Sequence, residues 1–119
     1  MKPSSALAAF VALEHAGFFV LESFLFTTPL GLRIFKLTPE AAKTSATLAA
    51  NQGVYNAFLA AGLVWGLCAA PEASLSIKTF FLSCVIIAGA VGGATASGRI
   101  LLVQAAPALL ALVLLRSGR

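Results

Sequence analysis

Four stretches of this chain approach the length a helix needs to cross a bilayer, and no other feature limits its fold so tightly. A hydrocarbon core about 30 Å thick takes roughly 20 helical residues. The apolar stretches cover about 6–26, 46–67, 77–96 and 100–115. Backbone groups at that depth meet no water, so only helices or a closed barrel can satisfy them. These runs lack the strict apolar–polar alternation of barrel strands. The expected fold class is therefore all-α, a four-helix antiparallel transmembrane bundle. Helical flanks extend the apolar stretches, so the chain reads as one domain, 1–119, with helices over about 6–26, 38–67, 75–96 and 98–115.

Composition agrees. Of 119 residues, 60% are hydrophobic and 10% charged, with a mean hydropathy of +0.98. A soluble domain carries about 25% charged residues, so the water-facing surface is missing. Disorder needs the opposite balance, low hydrophobicity with high net charge. The net charge of +4 comes from eight cations and four acids. They are too thinly spread to follow a phosphate backbone, so no nucleic-acid partner is expected. Cys68 and Cys84 have neither metal-ligand spacing nor the density of a disulfide scaffold. The N-terminal run holds Glu14 and His15 where a signal core is purely apolar, and reads as a retained membrane helix.

The connections carry their own signals. Thr38-Pro39-Glu40 is a helix start: Thr38 as N-cap, Pro39 at the first helical position, Glu40 in the positive first turn. The segment from Gly31 to Leu37 mixes bulky apolar residues with Arg33 and Lys36 and suits the headgroup region. Ser97-Gly98-Arg99 joins the last two helices as a tight hairpin. Both termini then lie on one side. Lys2, Lys78, Arg116 and Arg119 on that side balance Arg33, Lys36, Lys43 and Arg99 on the other, so the positive-inside rule sets no orientation.

Ionisable groups at bilayer depth cost about 2.5–3.5 kcal/mol each on insertion scales. Helix 1 holds three: Glu14, His15 and Glu22. Seven residues advance a helix by about two turns, so His15 and Glu22 share a face, with Glu14 in the same broad sector. These three are the candidate acid–base residues. Helix 2 answers with Asn51, Gln52, Tyr55 and Asn56, and helix 4 with Gln104. Counting inward from the helix ends predicts Glu22 level with Asn51, Gln52 and Gln104. His15, Glu14, Tyr55 and Asn56 would meet nearer the midplane. Glu22, Asn51, Gln52, Tyr55, Asn56 and Gln104 form the expected ligand-binding set. Polar residues between membrane helices also act as plain packing glue at about 0.6 kcal/mol each. No second His or close ligand spacing points to a metal, and no cofactor is expected. Gly89 and Gly93 lie four apart, with Ser97 extending the stripe. They should face a neighbouring helix, in the same chain or in a second copy of a homo-oligomer.

The segment Val11-Ala12-Leu13-Glu14-His15-Ala16-Gly17-Phe18-Phe19-Val20-Leu21-Glu22 and the block Asn51-Gln52-Gly53-Val54-Tyr55-Asn56 resemble the uncharacterised DUF1304 family of small bacterial membrane proteins. So does the hairpin from Ala88-Gly89 to Val103-Gln104-Ala105-Ala106-Pro107-Ala108. Family members commonly carry Trp where Phe26 stands here. The resemblance implies a membrane location and marks the polar residues of helices 1, 2 and 4 as a family pattern. It implies no reaction.

Three functions compete. The first is a multi-pass carrier of the inner (cytoplasmic) membrane, coupling protons at Glu22 to a small lipophilic solute. The second is an intramembrane enzyme acting on a lipid or isoprenoid, with His15 and Glu22 as acid and base and Asn51, Gln52 and Tyr55 orienting the substrate. The third is a structural or assembly protein whose polar groups fix helix register. Membrane lipids are partners in each.

Overall fold

The computed structural model describes residues 1–95 and 98–119. Every regular element among them is helical. Helix α1 spans Pro3–Ser23, α2 Pro29–Phe35, α3 Pro39–Cys68 and α4 Pro71–Thr95. A final helical segment, α5, runs over Gly98–Arg116. It is α-helical at Gly98–Ile100 and Ala106–Arg116, with a π-helical turn, Leu101–Ala105, between them. The expected end of the third helix at Ala96 and the turn residue Ser97 lie outside the described residues.

Among the described residues three helices are long and apolar enough to cross a membrane: α1, α4 and α5. These mark a membrane protein. Their outward faces fit that reading, with Leu13, Phe80, Ile87 and Leu102 all more than 60% exposed. Water-soluble monomers rarely present such continuous apolar surface. The expected fourth span, 46–67, falls within α3. Its 30 residues would reach about 45 Å, but Asn51, Gln52, Tyr55 and Asn56 dilute its apolar centre below that of the other three.

The chain divides into two compact units, one of Met1–Leu13 with Leu59–Arg119, the other of Glu14–Phe58. In the first, Val11, Ala12, Leu63, Leu82, Val85, Ala108 and Ala111 form the core, with Leu7, Phe81 and Leu112 packed against it. The small residues decide how closely its helices approach. A Cβ on Gly89 would come 2.9 Å from the Ala105 backbone nitrogen, and one on Gly93 2.7 Å from Leu101 Cβ. The glycine stripe of α4 thus receives the chain's own α5. Pro107 accounts for the π turn. It lacks the N–H that would bond the Val103 carbonyl, and its ring crowds that carbonyl. The helix widens just ahead of it, and Ala106 N–H bonds back to Leu101 O. Such a turn is a usual way to absorb a break in the hydrogen-bond ladder.

In the second unit the segment expected at the headgroups forms the short helix α2. Thr28 caps it, its hydroxyl donating to Leu25 O at 2.6 Å and accepting from Gly31 N–H at 3.3 Å. Gly31 is buried against the Leu25 and Phe26 carbonyls, where no side chain fits. Lys36 closes α2 in the left-handed region, at φ 55°. Thr38 then caps α3, accepting from Ala41 N–H at 3.2 Å, with Pro39 the first helical residue and Glu40 in the first turn. Phe26 packs on Phe35 with ring centroids 5.1 Å apart.

Candidate functional site

Glu14, His15, Glu22, Asn51, Gln52, Tyr55 and Asn56 all belong to the unit formed by residues 14–58. Within it α1 and α3 touch closely because α3 presents small residues: Ala49 and Gly53 are both buried. A Cβ on Gly53 would collide with Ser23 Oγ and sit 3.2 Å from both Glu22 Cβ and the Phe19 carbonyl oxygen. Ser23 Oγ donates across the same contact to Ala50 O at 3.1 Å. These contacts set the register, with Ser23 level with Ala50 and Glu22 level with Gly53.

That register decides the partner of Glu22. Side chains on a helix slant toward its N-terminus. In this antiparallel contact the Glu22 chain leans toward higher residue numbers on α3, and Asn56 leans back to meet it. Asn56 Nδ2 donates to Glu22 Oε1 at 2.5 Å. Counting from helix ends predicted Asn51 and Gln52 at this level. The structure instead turns Asn51, Gln52 and Tyr55 outward, all exposed, with Tyr55 stacking its ring edge on Phe58. At 100° per residue, a face centred on Gly53 carries Asn56 near its margin, whereas Asn51 and Tyr55 lie about 160° away. The buried small residues of α3 were the signal that could have revealed this facing.

His15 is fully buried. Its ring meets Phe18 edge-on, centroids 5.3 Å apart, and its Nδ1 lies 4.0 Å from Glu14 Oε1. Successive helix residues point in different directions, so this is a sideways contact at the limit of ion pairing. Glu14 Oε1 is buried and has no hydrogen-bond partner among the described residues. Gln104 belongs to the other unit, half-buried within the π turn of α5. No group of three His, Cys, Asp or Glu gathers into a metal-holding arrangement among the described residues.

Two polar pairs therefore result, a carboxyl bonded to an amide across α1 and α3, and a carboxyl beside an imidazole on α1. The first can hold or release a proton while keeping its hydrogen bond, because an amide both donates and accepts. A small all-helical protein with membrane-length helices and ionisable groups among them defines the class. The chain belongs to the DUF1304 family, proteins of unknown function, whose family model matches residues 9–116. It is also similar to the uncharacterized protein YpaA of Lactococcus lactis subsp. lactis (strain IL1403), at 32% identity over 109 residues, 90% of this chain and 91% of that one. No solved structure matches it significantly.

Proposed function

We propose that this protein is a multi-pass protein of the inner membrane, a single four-helix antiparallel bundle that couples proton exchange at Glu22 to the binding or carriage of a small lipophilic solute. The observation that carries the reading is the Glu22–Asn56 hydrogen bond. Helix association needs no ionisable group, and a carboxyl there serves a purpose an amide would not. Glu14 and His15 supply a second titratable pair on the same helix.

Asn51, Gln52 and Tyr55 enter this reading from the outside. Amides facing hydrocarbon lose hydrogen bonds that no lipid tail can replace. Each amide carries both donors and acceptors, so the same face of a second copy satisfies them. A homo-oligomer meeting along α3 is thus the assembly proposed.

The test is transport in proteoliposomes: a fluorescent lipophilic cation, an imposed pH gradient, and the parent against Glu22→Gln. Gradient-driven movement by the parent and its loss in the variant, with the fold intact, support the carrier. A second reading has a specific observation behind it. Ser23–Ala50 and Glu22–Asn56 both tie α1 to α3, as a purely structural role requires. Equal behaviour of parent and variant favours that one.

A further inference from the structure

A cavity of about 450 Å³ opens where helix ends converge. Ser4 from the first turn of α1, Leu67 from the last turn of α3, Ser74 from the first turn of α4 and Leu115 from the last turn of α5 all line it. Its side-chain charges have one sign. Lys2, Lys78 and Arg119 line it, and no Asp or Glu side chain does among the described residues. It lies wholly within the unit of Met1–Leu13 with Leu59–Arg119 and holds none of the Glu22 site.

Two of its lining side chains, Lys78 and Ser4, are buried. Lys78 is only 9% exposed, its stem lying along Gly66, where a Cβ would come 2.7 Å from Lys78 Cγ. Among the described residues no carboxylate comes within ion-pairing distance of its ammonium. Ser4 is 2% exposed, and its Oγ has no hydrogen-bond partner among the described residues. A buried hydroxyl without a bond is costly, and an ammonium on a buried stem beside it adds a positive charge to the same cavity. Lys2 adds a further cation, held at the rim by a 3.4 Å bond to Gly118 O. One anion with several acceptor oxygens satisfies all three groups at once. Phosphate is that anion: compact, multiply charged and a strong acceptor of bonds from Lys and Ser.

We propose that this cavity binds a phosphate group, with Lys78 as its central cation and Ser4 and Lys2 as donors, the phosphate belonging to an anionic lipid headgroup or to a small soluble phosphate. The position at the helix ends is where a headgroup lies if the helices span a bilayer, and the binding chemistry is the same for either source.

The experiment uses the purified full chain in neutral detergent, with two probes. Calorimetric titration with inorganic phosphate tests the soluble source. Native mass spectrometry from micelles doped with phosphatidate or phosphatidylcholine tests the lipid source. The parent should bind inorganic phosphate or phosphatidate, both anionic, in preference to zwitterionic phosphatidylcholine. Binding should weaken about tenfold or more in Lys78→Gln and about threefold in Ser4→Ala, the losses expected for a charge-assisted and a neutral hydrogen bond. Lys43→Gln, an exposed cation on α3, should bind as the parent does. If Lys78→Gln does not fold, Lys78→Arg and Ser4→Ala decide, the first retaining binding and the second weakening it about threefold. Absence of binding to either probe overturns the proposal. So does parental affinity in Ser4→Ala, or an equal loss in Lys43→Gln.

Discussion

Gly53→Ala adds one methyl group at the closest point between α1 and α3. The new Cβ overlaps Ser23 Oγ, a side chain that can turn away, and sits 3.2 Å from Glu22 Cβ and the Phe19 carbonyl oxygen, which cannot. Turning Ser23 breaks its 3.1 Å bond to Ala50 O, worth about 1 kcal/mol. Relieving the other two contacts means moving α1 by a few tenths of an ångström, an overpacking cost of about 1–3 kcal/mol. Helix propensity returns about 1 kcal/mol, because Ala suits a helix interior better than Gly. The net expectation is a loss of about 1–3 kcal/mol. In a Ser23→Ala background there is no hydroxyl to displace, so the loss should shrink by about 1 kcal/mol. That difference is a coupling energy, read from a double-mutant cycle. Helix content followed by circular dichroism during reversible unfolding in mixed micelles measures all four proteins. A Gly53→Ala protein at least as stable as the parent in both backgrounds would refute the close approach, and with it the register that pairs Glu22 with Asn56.

Two further outcomes follow from the backbone. Lys36 ends α2 at φ 55°, a conformation that costs a residue with a Cβ about 1 kcal/mol, so Lys36→Gly should raise thermal stability by nearly that amount. Gly89→Leu places its side chain against the Ala105 backbone and should lower stability in detergent by about 1–3 kcal/mol or more, and an unchanged midpoint would mean that α4 and α5 do not pack there.

What could be read in the sequence was whatever rests on local chemistry. Thr38 and Pro39 start α3 because a hydroxyl acceptor and a ring without an N–H suit only that end of a helix. Gly89 and Gly93 face a helix because small residues are useful in a membrane chiefly for close approach. The partner of Glu22 was harder to see. Counting residues from assumed span ends fixes depth only to within a turn or so. The true register comes from Gly53 meeting Ser23, a long-range contact that no local pattern states. Facing was lost for the same reason. Asn51, Gln52 and Tyr55 look like an inward cluster until Ala49 and Gly53 are seen to occupy the inward face. The π turn had a signal in Pro107, since a proline preceded by helical residues must disturb the ladder behind it.

The central claim is that Glu22 is a working carboxyl and not only a tie between helices. Infrared difference spectroscopy of the protein in lipid bilayers, recorded across a pH titration, tests it most directly. The account predicts a carboxyl band whose intensity changes with pH, that is absent from Glu22→Gln and that shifts in frequency when Asn56→Ala removes its hydrogen bond. Identical difference spectra from the parent and Glu22→Gln would contradict it.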